Sequence, residues 1–277
     1  SSQGGINDLQ LEDGFSNNYI QVNYVKNLKT FVWNTDAAFQ RQAVNWYGLP
    51  FETTTALDSK QVYSTIELGS DIQFTKGVFR SGEIHLRRFS DAYKSQEYYL
   101  TGKTKVQLNV FDSPINSIIK VDYLKGNFAK NYNGLEEQNY GNIQLSVAPS
   151  YQYIQDDFSV SAGFIAYYLM DTEQNKNDFY IYTNIEASYA VVNSIVVAYA
   201  GIQGDLYQNT YFDFVQSNPF VSPTLEIRPS STPYKVVVGT KGKLSQTIGY
   251  DLNGSFTREE NKALFRTHSI QNLSVPN

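Results

Sequence analysis

The residue with the clearest potential for acid–base chemistry is His85, one of two histidines in a chain of 277 residues. Acyl transfer would need a serine beside this imidazole and a carboxylate, Glu83 or Asp71, to orient it. No recognisable motif places a serine next to His85, and a single histidine on a polar strand face is usually a hydrogen-bonded wall residue. We therefore predict that the protein is not an enzyme.

The sequence has few residues that could bind a metal ion or a cofactor. The chain has no cysteine, which excludes disulfides, thiolate nucleophiles, iron–sulfur clusters and cysteine-ligated zinc. Adjacent carboxylates occur at 136–137, 156–157 and 259–260, but neighbouring residues of an extended chain point apart. Such pairs are more often solvated charge than calcium ligands or acid–base groups. We predict no metal site and no cofactor.

Charged side chains recur on one face of three consecutive predicted strands. They are Glu83, His85, Arg87, Lys103, Lys105, Lys120 and Asp122. In a pore, such a stripe would select solutes by the sign of their charge and by their size. In a simpler interpretation, opposite charges on neighbouring strands pair and hold a wall in shape.

Aromatic residues make up 15% of the chain, and some of them lie in predicted loops rather than in strands. The candidate contacts for an external ligand are Trp46, Tyr47, Tyr211, Phe212 and Phe214. The first two could instead anchor a loop at a membrane interface. The others lie in a long link, 204–233, and could pack together or fold into a lumen. We also expect a short strand at 225–227 in this link.

These residues are carried by an all-β sequence, because apolar and polar residues alternate with period two along the whole chain. The predicted strands are 18–25, 31–40, 62–74, 78–89, 98–110, 117–126, 143–153, 158–169, 178–190, 194–203, 234–244 and 247–257. Several approach the roughly 9–11 residues with which a tilted strand crosses a bilayer.

The links between these strands alternate in length. Short links fall at 26–30, 75–77, 111–116, 154–157, 191–193 and 245–246, and longer ones at 41–61, 90–97, 127–142, 170–177 and 204–233. Because consecutive antiparallel strands reverse direction, all short turns lie at one end of the sheet and all long loops at the other, as in outer-membrane barrels. Tyrosines near strand ends, such as Tyr98-Tyr99 and Tyr167-Tyr168, are typical of the aromatic girdles of such barrels.

We therefore predict a transmembrane antiparallel up-and-down β-barrel of about 12 strands. The first strand begins and the last strand ends on the side of the long loops, whereas complete bacterial barrels start and finish in the periplasm. We expect a segment of a larger barrel, a single domain over 1–277, with the plug and the flanking strands outside it. A secreted carbohydrate-binding β-sandwich is a weaker alternative, since antiparallel sheets often bury one face and wet the other.

Two classes of protein are excluded by charge and hydropathy. The formal net charge of −5 lacks the positive field that nucleic-acid binding requires. No window approaches the roughly 18 consecutive apolar residues of a membrane-spanning helix. The chain is therefore neither a nucleic-acid-binding protein nor a helical membrane protein.

Several strings of the sequence are recognisable. They are Ser1–Ile6, Asn45–Pro50, Arg87–Phe89, Ala148–Tyr151, Phe179–Tyr182, Asn218–Leu225, Gly239–Leu244 and Lys262–Arg266. Together they resemble the barrel portion of TonB-dependent-receptor-like proteins of the Bacteroidota outer membrane, over nearly the whole chain. The resemblance implies location in the bacterial outer membrane, contact with its lipid, and as partner an energy-transducing periplasmic protein or other outer-membrane proteins. None of the strings is a catalytic motif, so no substrate residue is carried over.

The predicted barrel and the resemblance are consistent with two functions. The leading hypothesis is passage of a solute or nutrient through the lumen, with external loops making the first contact. The alternative is a structural or partner-docking barrel subunit of a larger outer-membrane complex, with the lumen blocked.

Overall fold

The computed structural model describes residues 14–45, 60–110, 113–131, 136–192 and 195–265, which form twelve β-strands and one short helix. The strands are β1 (Phe15–Asn27), β2 (Phe31–Asn45), β3 (Lys60–Phe74), β4 (Phe79–Ser90), β5 (Gln96–Val110), β6 (Ser113–Phe128), β7 (Gln138–Gln155), β8 (Phe158–Asp171), β9 (Lys176–Val192), β10 (Val196–Tyr207), β11 (Ser230–Lys243) and β12 (Gly249–Glu260), and the helix is α1 (Tyr211–Ser217). Each strand coincides with a predicted one, and most are longer.

All twelve strands belong to one sheet, in which every strand pairs antiparallel with its neighbour in the sequence. This up-and-down order confirms the predicted fold class. The alternative of a β-sandwich is wrong, because the described residues form a single sheet and no second sheet covers either face. In this part of the chain, β1 and β12 are edge strands with one neighbour each.

The sheet has two faces of different chemistry. We call the face that α1 packs on the inner face, and the opposite one the outer face. Aliphatic side chains stand exposed in adjacent strands of the outer face: Ile66, Leu68, Ile84, Leu86, Ile119, Val121, Leu145 and Val147. The inner face of the same strands is mostly polar, because successive strand residues point to opposite sides. No helix among the described residues is long or apolar enough to cross a membrane.

The tyrosines that were predicted to form girdles divide between the two faces. Tyr98 and Tyr168 are exposed on the outer face. Their sequence neighbours Tyr99 and Tyr167 point inward, where their hydroxyls donate to Asp122 Oδ1 (2.6 Å) and to Asp205 Oδ1. The girdle prediction was therefore wrong for one member of each pair, since adjacent strand residues cannot share a face.

The links are only partly sorted by length. The long links 129–137 and 208–229 lie at one end of the sheet, as predicted, but 91–95 and 172–175 at that end are no longer than 244–248 and 75–78 at the other end. We call the end with residues 91–95, 129–137, 172–175 and 208–229 the loop end, and the opposite one the turn end. The longest described link, 208–229, returns onto the inner face, and we call it the inner segment. It contains α1, while residues 225–227 have no strand, so the expectation of a short strand there was wrong.

Candidate functional site

The inner segment covers the inner face at the loop end through an apolar cluster. Its buried residues come from the segment and from β2, β3, β4, β6 and β7: Val44, Tyr63, Phe89, Leu124, Phe128, Tyr140, Tyr211, Val215, Val221 and Ile227. The Phe89 ring lies 5.2 Å from the Tyr211 ring and 5.4 Å from the Phe212 ring, both edge-on. Aromatic pairs at these distances and angles are favourable, so α1 is seated on the wall by its aromatic side chains.

The local sequence explains why α1 begins where it does. Thr210 is the N-cap, and its Oγ1 accepts a hydrogen bond from the amide of Asp213 (3.1 Å). This bond satisfies one of the donors that the first turn of any helix leaves free. The seven-residue helix is too short to be stable alone, so its stability comes from its contacts with the wall.

Glu97 in β5 is the main polar contact between the wall and α1. Its carboxylate accepts hydrogen bonds from the amide of Tyr211 (2.6 Å), the amide of Phe212 (3.2 Å) and the hydroxyl of Tyr140 (2.9 Å). Glu97 is 1% exposed. A buried carboxylate is tolerated where several donors surround it, and here two of the donors are free amides of the first helical turn.

Gly126 allows Tyr140 to reach Glu97. In the register, Gly126 lies between them, opposite Glu97 on one side and Tyr140 on the other. A Cβ at position 126 would overlap the Tyr140 ring. The absence of a side chain thus leaves the space through which the tyrosine crosses β6.

Arg87 in β4 makes the second polar contact with α1. Its Nη2 donates to Thr210 Oγ1 (2.9 Å), and its guanidinium lies 3.9 Å from the centre of the Phe212 ring. Asp213 lies 4.0 Å from Nη1. This geometry combines a hydrogen bond with a cation–π contact.

Asp91, in the link between β4 and β5, binds the side-chain hydroxyl of Tyr211. The Tyr211 hydroxyl donates to Asp91 Oδ2 (2.8 Å), and the Ser95 amide donates to Oδ1 (2.8 Å). Burial raises the pKa of the Asp91 carboxyl, and hydrogen bonds from Ser95 and Tyr211 partly oppose this shift. Burial likewise raises the pKa of the Tyr211 hydroxyl.

Further hydrogen bonds fix the rest of the inner segment to the wall. The hydroxyl of Tyr63 donates to the carbonyl of Pro219 (2.8 Å), and Gln138 Nε2 donates to the carbonyl of Leu225 (2.9 Å). Gln144 Nε2 donates to Gln208 Oε1 (2.6 Å). The segment is therefore held along its length and not only at α1.

The structure places the predicted charge stripe on the inner face. Glu83, Lys103 and Lys120 lie side by side in the register of β4, β5 and β6. Glu83 pairs with Lys103 (3.2 Å), and Lys120 pairs within its own strand with Asp122 (2.7 Å). Only the Glu83–Lys103 pair joins neighbouring strands, so a role of the stripe in holding the wall in shape stays a prediction.

The remaining members of the stripe differ in their surroundings. Arg87 is turned toward α1, as described above. His85 and Lys105 are exposed, and no hydrogen bond or ion pair joins either of them to another described residue. Selection of solutes by this stripe stays a prediction.

Of the candidate aromatic contacts, Trp46 and Tyr47 lie outside the described residues. Tyr211 is fully buried, and Phe212 and Phe214 are half-buried in the cluster under the inner segment. A direct role in ligand contact stays a prediction for these residues. Sequence reasoning missed Glu97, Asp91 and Thr210, for which the only local signal was a threonine three positions before an aspartate.

Among the residues that the structure describes, no group of three or more His, Asp or Glu side chains is arranged to hold a metal ion.

Solved structures with a similar fold include bacterial receptors. A variant of the ferric enterobactin receptor PfeA from Pseudomonas aeruginosa is 12% identical, with a TM-score of 0.60 and a match over 95% of this chain and 45% of the receptor. The alcaligin outer-membrane receptor FauA from Bordetella pertussis is 10% identical, with a TM-score of 0.56 over 92% of this chain and 45% of that one. The copper transporter OprC is 10% identical, with a TM-score of 0.52 over 87% and 44%.

The chain spans less than half the length of these structures. No protein-family model matches it, and no curated protein matches it significantly. Identity at this level shows a shared fold. The sheet described here thus has the fold of a receptor-type outer-membrane barrel wall.

Proposed function

We propose that this chain forms part of the wall of a receptor-like transport barrel in the bacterial outer membrane, and that a solute or nutrient passes through this barrel. The observation that carries the proposal is the combination of a receptor-type barrel fold with an exposed aliphatic outer face. An exposed apolar surface that runs over many adjacent strands is unfavourable in water and is the surface that lipid requires. The resemblance noted in the sequence supports a Bacteroidota origin and a single domain over 1–277.

The two edge strands support a wall that continues beyond β1 and β12. In hydrocarbon, each backbone amide and carbonyl needs a hydrogen-bond partner. β1 and β12 each have one neighbour among the described strands, so closure of the barrel requires a hydrogen-bonding partner for the free edge of each. The partners are the surrounding lipid and, as the resemblance implies, an energy-transducing periplasmic protein.

Contact with lipid is testable through Trp33, one of two tryptophans in the chain. Trp33 is exposed and pairs with Ile72 on the outer face. In a Trp46→Phe variant, Trp33 is the sole tryptophan, and we expect lipids brominated in their acyl chains to quench its fluorescence. Fluorescence that the brominated lipids leave unchanged would contradict the membrane wall.

Passage is tested separately, by flux of small sugars and amino acids into liposomes that contain the protein. Flux above that of protein-free liposomes supports the transport proposal. If Trp33 is quenched but no flux is measured, the protein is a membrane wall that does not conduct in this state.

A second candidate function is a structural or partner-docking barrel. The specific observation that favours it is the inner segment, which occupies the inner face at the loop end and is held there by buried hydrogen bonds. Purification of the protein with a stoichiometric partner, together with absence of solute flux, would favour this candidate.

A further inference from the structure

Glu67 is a charged residue of the wall, close to the inner segment, that has no ion-pair partner in the part of the chain that the structure describes. Glu67 in β3 lies directly opposite Arg87 in β4, and in an antiparallel pair such residues have Cβ atoms about 4.5–5.5 Å apart. Among the described residues, Glu67 nevertheless forms no ion pair and no hydrogen bond. Arg87 is turned away from it toward α1.

The space between these two side chains is open. A cavity of ≈ 230 Å³ on the inner face is lined by Asp36, Glu67, His85, Arg87 and Thr101, among others. Both the Glu67 and the Arg87 side chains line this cavity. A change of Arg87 rotamer can therefore bring them together without movement of the backbone.

All polar and aromatic partners of Arg87 in the inner segment belong to α1 and its N-cap. They are Thr210, Phe212 and Asp213. If α1 leaves the wall, Arg87 loses these three contacts together, and Glu67 is the anion across from it. Glu67 thus offers Arg87 a new partner in the wall when its contacts with α1 are lost.

The buried carboxylates of Glu97 and Asp122 keep a partner when α1 leaves. Glu97 retains the hydroxyl of Tyr140, and its remaining lone pairs become accessible to water. Asp122 retains both Tyr99 and Lys120. Displacement of α1 therefore leaves neither of these two carboxylates without a partner. An unpartnered buried charge would impose a large energetic penalty.

We propose that α1 is a displaceable stopper on the inner face, and that Arg87 exchanges its contacts with α1 for an ion pair with Glu67 when the stopper leaves. The docked state is the ground state, because Tyr211 and Val215 are fully buried against the wall and their exposure is unfavourable. A ligand that replaces these apolar contacts shifts the population toward the displaced state. The exchange is independent of whether the barrel conducts a solute.

Pulsed electron paramagnetic resonance distances test this exchange. The natural chain has no cysteine, so spin labels attach only at Gln216→Cys on α1 and Lys125→Cys on β6, two exposed positions. In lipid nanodiscs, we expect one narrow distance distribution for this labelled protein. Adding Glu97→Gln weakens the docking of α1 and is expected to produce a second, displaced population.

Glu67→Gln in that weakened background is the decisive variant. It removes the alternative partner of Arg87, so the displaced population is expected to fall about threefold to fivefold. Glu83→Gln is the matched control, since Glu83 is an inner-face carboxylate already paired with Lys103, and it is expected to leave the populations unchanged. Equal effects of Glu67→Gln and Glu83→Gln would overturn the exchange.

A milder variant protects the test against misfolding. Thr210→Val removes both the N-cap and the acceptor of Arg87 and leaves Glu97 in place. If the labelled protein keeps one narrow distribution with Thr210→Val and with Glu97→Gln, α1 is a fixed part of the wall and the proposal is wrong.

Discussion

At the scale of single residues, the buried carboxylate of Glu97 has the largest influence on the loop end. It joins β5 to the first turn of α1 and to Tyr140 of β7, which are distant in the sequence. From sequence alone, a glutamate at the end of a strand is predicted to be a solvated charge. Only the arrival of two backbone amides from the inner segment makes it a buried acceptor.

Glu97→Gln is expected to lower the free energy of unfolding by about 2–3 kcal/mol, because hydrogen bonds to a charged acceptor are lost and an amide donor faces the helix amides. The measurement is urea unfolding in detergent micelles. Glu186→Gln, at an exposed position in β9, is the control and is expected to have little effect. Equal midpoints for the two variants would show that Glu97 does not anchor α1.

Asp91 leads to a prediction about pH. Because burial raises the pKa of Asp91 in the folded protein, the folded state holds this proton more tightly than the unfolded state. The contribution of Asp91 to stability is therefore complete below the ordinary pKa of 3.8. It is lost progressively as the pH rises through the raised pKa, and above that pKa the loss is constant.

Asp91→Asn does not ionise, and its single amide oxygen replaces only one of the two acceptors that Ser95 and Tyr211 use. The melting temperature of the natural protein minus that of the variant is expected to decrease as the pH rises from 3.8 through the raised pKa and then to level off. Melting curves in detergent between pH 3 and pH 8, values chosen to bracket the ordinary Asp range, measure this difference. A difference that does not change with pH would contradict the raised pKa.

At the scale of elements, the close approach of β5, β6 and β7 at the loop end depends on a missing side chain. Gly126 lies between Glu97 and Tyr140, and any Cβ there would overlap the tyrosine ring. The glycine is needed for space, not for an unusual backbone angle. The β5–β6–β7 wall and the docking of α1 are therefore coupled through one position.

Gly126→Ala is expected to displace Tyr140 from Glu97 and to lower the free energy of unfolding by about 1–3 kcal/mol, as overpacking does. Gly102→Ala in β5 is the matched control, because nothing lies within 4 Å of a Cβ at that position. Urea unfolding compares the two. A loss of stability from Gly102→Ala as large as that from Gly126→Ala would show that a general strand effect, and not the tyrosine contact, is responsible.

At the scale of the whole molecule, the two faces of the sheet require two environments. The outer face presents exposed aliphatic side chains across adjacent strands, while the inner face carries paired charges and the inner segment. Water on both faces would leave the outer face uncovered. In the proposed function, lipid covers the outer face and water fills the inner side, which suits the chemistry of both faces.

Leu68→Lys, near the middle of β3 on the outer face, is expected to destabilise the folded protein in bilayers by about 2–4 kcal/mol. Thr101→Lys introduces the same charge near the middle of β5 on the inner face and is expected to cost far less. Unfolding of both variants in lipid vesicles provides the comparison. Equal costs for the two variants would contradict the assignment of the outer face to lipid.

The sequence by itself determined the strands, the two faces of the sheet and the end at which the longest links lie. Alternation of apolar and polar residues is a local property, so Val62–Phe74 shows its two faces before any partner strand is known. For this reason all twelve strands were predicted, while their exact ends were not. Pairing across the short turns follows from this pattern, whereas pairing across the long links, such as 208–229, does not.

Only the tertiary structure decided how the loop end is built. The contact of Glu97 with the Tyr211 amide joins residues 114 positions apart, and that of Arg87 with Thr210 joins residues 123 apart. No periodicity encodes which distant segment will meet which wall residue. The aromatic residues of the inner segment were recognised as able to fold into a lumen, but α1 forms because wall contacts stabilise a helix too short to be stable alone.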